Sequence, residues 1–176
     1  MADLAPPFAA DPLPAGSRIA CRIEYDGSCY SGWQAQPHLA VKTVQDALEQ
    51  GIAIVANGPV RVHCAGRTDA GVHGCGQIAH FDAPSARAAK SWVMGGNANL
   101  PRDVRIHWAV PVPDTFHARH TAHWRRYRYV IHNAAVHSAV LAPLTTWHRY
   151  PLDARVMHAE GQSLVGEQDF SAFRAA

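Results

Sequence analysis

No apolar run in this 176-residue sequence approaches the ~20 residues that a membrane-spanning helix needs. Cysteine is scarce: Cys21, Cys29, Cys64 and Cys75 include no C-x-x-C pair, and no signal peptide precedes them. A disulfide framework and a paired-cysteine zinc centre are therefore not expected, and the thiols read as those of a reduced, soluble, cytoplasmic protein. Charge of one sign is also lacking, since 16 Lys and Arg face 14 Asp and Glu for a net +2. Nucleic-acid binding would have to come from a local patch, which the basic run Arg119 to Arg128 and the 12 histidines can supply. No Gly-Lys-Ser/Thr follows a glycine loop, so a nucleotide cradle is not indicated.

What is present is enough for one core. The 48% hydrophobic content suits a single domain over residues 18–176 that buries roughly two-thirds of the surface exposed by the unfolded chain. Residues 1–17, with Pro6, Pro7, Pro12 and Pro14 among alanines, read as a disordered tail.

The chain is organised around Cys64 to Gln77, C-A-G-R-T-D-A-G-V-H-G-C-G-Q. Gly66, Gly71, Gly74 and Gly76 surround one arginine and one carboxylate, Arg67 and Asp69. Apolar alternation in Val60–Cys64 and Gln77–Phe81 predicts a tight connection between two strands that presents both. Asp69 reads either as an Asx-turn residue bonded to its own backbone or as a site carboxylate. On extended backbone Arg67 would point the same way and could hold it ionised. No second carboxylate stands beside it for glycosidase-like acid/base work. His63, Cys64, His73, Cys75 and His80 lie close in sequence but lack metal-ligand spacing, so no metal or other cofactor is assigned.

Alternation predicts strands at Ile19 to Tyr25 and Val104 to Val110. Helical spacing predicts a helix capped by Thr43 that stops at Asn57-Gly58-Pro59, and a second one capped by Ser85 that stops at Gly95-Gly96. With the two central strands, the order β-α-β-β-α-β predicts an α+β, ferredoxin-like antiparallel sheet with helices on one face. Trp33, in the turn-rich loop Tyr25 to Gln34, reads either as a core anchor or as part of a substrate surface. Trp124 to Ile131 reads as a strand with Arg126 and Arg128 on one face and Arg125, Tyr127 and Tyr129 on the other. Arginine interleaved with tyrosine suits phosphates and an unpaired base, or a solvated edge. Leu152 to Val165 predicts a last helix, with Gly161 as its weak point and Gly166 as its stop.

Six segments stand in the order found in one family: Y-D-G-S-C-Y-S-G-W-Q (Tyr25 to Gln34), A-G-R-T-D-A-G-V-H-G (Ala65 to Gly74), N-A-N-L-P (Asn97 to Pro101), F-H-A-R (Phe116 to Arg119), R-R-Y-R-Y (Arg125 to Tyr129) and D-F-S-A-F-R (Asp169 to Arg174). From about Ile19 to its end the sequence resembles the N-terminal part of the bacterial tRNA pseudouridine synthase A family. The resemblance implies an isomerase that converts uridine to pseudouridine at positions 38 to 40 of the tRNA anticodon stem and loop, without a cofactor. It implies that Asp69 is the nucleophile, that Arg67 holds the flipped nucleotide and pairs with the carboxylate, and that Tyr127 packs on the target base. It also implies that Phe116, His117, Ala118, Arg119 and His120 contact tRNA, where Arg126 and Arg128 would add phosphate contacts. The family has a second pseudo-symmetric half after D-F-x-x-F-R and forms a homodimer, so this chain by itself is expected to fold yet show little or no activity. The alternative is a non-catalytic RNA-binding domain on the same sheet, although the aromatic RNP signature is absent.

Overall fold

A computed structural model describes residues 11–173. The chain divides into two compact units, Met1–Arg126 and Tyr127–Ala176.

The first unit is built on β2 (Arg18–Tyr25), which pairs antiparallel with β4 (Gly74–Asp82) on one side and β6 (Val104–Val112) on the other. The short β3 (His63–Cys64) extends the sheet beyond β4, giving the order β3-β4-β2-β6. With α1 (Val44–Ala56) after β2 and a second helix before β6, this is the expected ferredoxin-like arrangement. Ile19, Cys21, Ile23 and Tyr25 are buried by alternation, and Val44, Leu48, Ile52 and Ala56 by helical spacing. Both sets join Trp33, Phe81, Trp92, Val104 and Ile106 in one core.

The second helix departs from expectation at both ends. Ser85 does not cap it; its hydroxyl donates to the Ala56 carbonyl at 2.7 Å, and β5 (Arg87–Ala88) follows instead. A π-helical stretch, Ser91–Gly95, then runs directly into α2 (Gly96–Asn99). Gly95 and Gly96 are right-handed helical residues rather than a stop. A Cβ at Gly95 would lie 3.0 Å from Val55 Cγ2, and one at Gly96 2.8 Å from Ile106 Cδ1, so the pair lets the helix approach α1 and β6 closely. Asn97, beyond the expected stop, is helical, and its amide exchanges two 2.8 Å hydrogen bonds with the Ile106 backbone.

Of the expected tail, residues 1–10 lie outside the described part. Pro12 and Leu13 form β1, paired antiparallel with β5, and the Gly16 N–H donates to the Ala83 carbonyl at 2.7 Å. This pairing satisfies backbone groups that a proline-rich composition suggested would stay hydrated.

In the second unit β7 (Ile131–Asn133) pairs parallel with β8 (Thr146–His148). The expected strand over Trp124 to Ile131 is absent until Ile131, so the predicted two-faced display of arginine and tyrosine does not form there. α3 (Ala154–Gly161) is capped by Asp153, whose carboxylate accepts from the Arg155 and Val156 N–H groups at 2.8 and 3.2 Å. It gives way to a 3-10 turn, Gln162–Leu164, at the glycine that composition marked as weak, and Gly166 stops it at φ +98°. Val156, Met157, Leu164 and Val165 are all exposed.

The start of α1 offers a test of this framework. Thr43 is fully buried; its Oγ1 accepts from the Asp46 N–H at 3.2 Å and donates to the Asp46 carboxylate. Replacing Thr43 by Ala is expected to cost about 1–2 kcal/mol. A urea titration should show a lower midpoint with an unchanged slope.

Candidate active site

The Asp69 loop is held by a second loop. Tyr25–Gln34 leaves β2 and turns under Ala65–Gly74, and the Trp33 N–H donates to the Thr68 carbonyl at 2.9 Å. The Tyr25 and Thr68 hydroxyls are 2.8 Å apart, and the Gly71 N–H donates to the Tyr30 carbonyl at 3.3 Å. Trp33 is buried against the Tyr25 ring, which settles its two readings in favour of a core anchor. Tyr30 is buried as well, and its hydroxyl donates to Asp103 at 2.6 Å; burial, then Asp103, pushes its pKa up. A loop anchored by three buried aromatics gives the loop above it a rigid floor.

At its entry the Asp69 loop is pinned to β4. The Gly66 N–H donates to the Gln77 side chain at 3.3 Å, and that amide donates back to the Gly66 carbonyl at 2.5 Å. At its exit the Val72 N–H donates to the Asp69 carbonyl at 3.2 Å, closing a turn in which Gly71 takes φ +79°. Gly74 and Gly76 belong to β4 rather than to the loop. At Gly74 the missing Cβ leaves room for the Tyr25 ring.

Asp69 itself is exposed. Its carboxylate makes no hydrogen bond or ion pair among the described residues, so the Asx-turn reading fails. Arg67 is also exposed, and the expected ion pair between the two is not formed. The backbone under Asp69 is thus fixed by five named groups while the carboxylate serves no structural bond. That combination leaves the charge available to something outside the chain.

Phe116 to His120 docks on the sheet through contacts that sequence reasoning did not foresee. Arg18 forks onto the Asp82 carboxylate at 2.8 and 3.1 Å, and its Nη1 donates to the Asp114 and Phe116 carbonyls at 2.5 and 3.0 Å. His80 is buried, and its Nδ1 accepts from the Ala118 N–H at 3.2 Å. His80 stacks on His63 at 5.1 Å, meets His117 at 4.6 Å and touches Phe116 edge-on at 5.9 Å. The signal for this cluster was the register of β3 on β4, which sets His63 opposite His80 on one face. Ala118 is buried, whereas Arg119 and His120 are exposed, and the Arg119 guanidinium makes no bond among the described residues. The segment therefore presents one free cation from a pinned backbone.

Arg126 lies 5.6 Å over the exposed Trp124 ring. Tyr127 and Arg128 open the second unit, and both are exposed, Tyr127 at 69%. No cluster of three metal-ligating side chains occurs among the described residues. A depression of about 550 Å³ lies beside the start of α1, and its lining residues include neither Asp69 nor Arg67. No described helix is long and apolar enough to cross a membrane.

A model of the tRNA pseudouridine synthase family matches residues 22–120, a span that holds most of the sheet, the Asp69 loop and the docked segment. The chain belongs to this family. It is 55% identical over 159 residues to tRNA pseudouridine synthase A of Alcanivorax borkumensis, covering 90% of this chain and 59% of the relative. It is 51% identical over 158 residues to the protein of that name from Hydrogenovibrio crunogenus, covering 90% of this chain and 60% of the relative. The chain thus spans about 60% of the length of the curated relatives it matches. The family match falls wholly on the first unit.

Burial of His80 has a consequence for stability. Burial first, then the charges of His117, His63 and Arg18, lower its pKa to about 4 from 6.5, while Asp82 opposes this weakly. Folding keeps the ring neutral, so its contribution is complete above pH 6.5 and is lost as pH falls toward 4. Unfolding free energy measured by urea titration should decrease over this window, and His80→Gln should flatten the decrease. An unchanged slope in the variant would move the effect to another group.

Proposed function

We propose that this chain carries the nucleophile loop and RNA-docking surface of a cytoplasmic tRNA pseudouridine synthase. The substrate would be uridine at positions 38 to 40 of the anticodon stem and loop. The observation that carries the proposal is the Asp69 carboxylate, exposed and unbonded on a backbone fixed from both sides. Supporting it are the family match and the relatives' names.

The reaction is an isomerisation: the bond from ribose to the base nitrogen breaks, the same base rejoins through a ring carbon, that carbon loses its proton and the nitrogen gains one. No net oxidation occurs. An ionised carboxylate can attack and later leave, splitting one difficult exchange into two steps. The target lies in or beside a helix and must be flipped out, a step that an inserted Arg67 and a stacked Tyr127 would make less costly. Phe116, His117, Ala118, Arg119, His120, Arg126 and Arg128 would hold the backbone on either side, with Arg119 free to reach a phosphate. Assembly as a homodimer belongs to the same proposal, and the exposed Val156, Met157, Leu164 and Val165 of the second unit are available for it.

Asp69→Asn keeps the shape of the side chain and removes its charge. In the complete enzyme it should abolish tritium release from uridine-labelled tRNA while leaving tRNA affinity nearly intact. Activity within tenfold of the parent would remove Asp69 from the chemistry. Binding without isomerisation by the parent would leave an RNA-binding module instead.

Stacking separates from hydrogen bonding at Tyr127. Tyr127→Phe should be well tolerated, whereas Tyr127→Ala should lose roughly 1–3 kcal/mol of transition-state stabilisation. Equal losses would assign the role to the hydroxyl.

A further inference from the structure

Arg125 is exposed, yet one edge of its guanidinium is committed to the chain itself. Its Nε donates to the Ala65 carbonyl at 2.8 Å and its Nη2 to the Arg119 carbonyl at 3.0 Å. These two carbonyls belong to the two segments that the proposed function depends on. Ala65 is the residue where the Asp69 loop leaves the sheet, its own N–H still bonded to the Ile78 carbonyl at 2.7 Å. Arg119 is the cation presented by the docked Phe116 to His120 segment.

Resting on the function proposed above, we propose that Arg125 is a positioning residue that ties the RNA-docking segment to the nucleophile loop. Among the described residues, the other hydrogen bonds named above each reach one side. Arg18 and His80 hold Asp114, Phe116 and Ala118. Gln77, Trp33 and Tyr25 hold Gly66 and Thr68. Arg125 bonds to both. Nε–H and one Nη2–H point in parallel from a rigid planar fork, so a single side chain fixes the separation of the two carbonyls. A lysine retains the charge but has no such edge, and its ammonium, on a flexible stem, constrains that separation far less.

Geometry matters here because a reacting base must meet the nucleophile within a fraction of an ångström, and a 1 Å misplacement costs about a hundredfold in rate. If RNA is gripped at Arg119 and attacked at Asp69, the distance between those points must be set by protein bonds. Arg125 sets it at the backbone level. It spends two donors on carbonyls, which leaves it a poorer phosphate ligand than the unbonded Arg119.

The test compares the complete parent enzyme, second half included, with its Arg125→Lys variant by two readouts. In amide hydrogen exchange, Gly66, Ala118 and Thr121 should exchange at least tenfold faster in the variant while β2 amides are unchanged. In steady-state assays on unmodified tRNA, kcat should fall about tenfold with KM and the salt dependence of binding unaltered, because the charge is retained. Unchanged exchange overturns the proposal whatever the activity, as does faster exchange with an unchanged kcat. A raised KM with a salt slope shallower by about one counterion, at constant kcat, would make Arg125 a phosphate contact and overturn it too. Should the parent show no isomerisation at all, the functional reading fails, and the exchange result alone decides whether Arg125 couples the two segments.

Discussion

The site depends on how Thr68 is held. Its carbonyl accepts from the Trp33 backbone and its hydroxyl meets that of Tyr25, so the residue before Asp69 is bonded both to the end of β2 and to the loop that follows it. Those bonds are dependable because the aromatic groups around them are sunk in the core, where Trp33 and Tyr25 pack with ring centroids 5.8 Å apart. Moving Thr68 would mean moving two large buried rings, and close-packed interiors resist that. The apolar core therefore sets the position of a polar loop. β2 supplies the link, since it is the central strand of the sheet and runs straight into the anchoring loop.

The same economy operates on the other side of the sheet's edge. A single face of β4 and β3 carries His80 and His63, and their rings form the seat on which His117 and Ala118 rest. An imidazole serves here as a neutral acceptor, a role it can hold only unprotonated at Nδ1. Arg18 closes the far end of the seat through two backbone carbonyls while remaining paired with Asp82. The docked segment is thus bound chiefly through its backbone, which leaves Arg119 and His120 facing solvent. A pinned backbone with one free cation, Arg119, is the arrangement that phosphate recognition favours, because little side-chain order has to be created elsewhere when the ligand arrives.

Most of the sheet was legible in the sequence because its strands alternate: Ile19, Cys21, Ile23 and Tyr25 announce a buried face without help from any neighbour. α1 was legible for a similar reason, with Thr43 capping it and Asn57, at φ +54°, ending it. The second helix was misread because glycine has two uses. Gly95-Gly96 looked like a stop, but in the fold the pair answers a packing demand from Val55 and Ile106, which no local pattern encodes. The tail was misread over Pro12 and Leu13 because a two-residue pairing leaves no periodicity to detect. The contacts that Arg125 and His80 make were not foreseen, for a deeper reason. Ala65 stands 60 positions from Arg125 and Ala118 stands 38 from His80, so only the tertiary fold brings these pairs into contact. Asp69 and Arg67 were read from the sequence as a candidate site, yet their mutual pairing was not realised, since the strand geometry assumed for i and i+2 does not persist in the loop.

The absence of that ion pair bears on how such a site would work. An exposed carboxylate is well solvated, and at 4 Å a neighbouring charge is worth only about 1 kcal/mol in bulk water against about 4 kcal/mol at the effective dielectric of a protein surface. On the proposed reading, then, little electrostatic advantage exists until RNA displaces the water around Asp69. Arg67, bonded to nothing among the described residues, is not spent on neutralising the carboxylate beforehand. It is free to meet the nucleotide as the nucleotide arrives, and only then does its charge lie near that of Asp69 in a drier setting. Pairing formed early would lower the reactivity of the carboxylate and occupy the cation; pairing deferred to the complex strengthens both at the moment of reaction. A fixed backbone with uncommitted side chains is what such a sequence of events requires, and the interlock at Thr68 provides the fixed part.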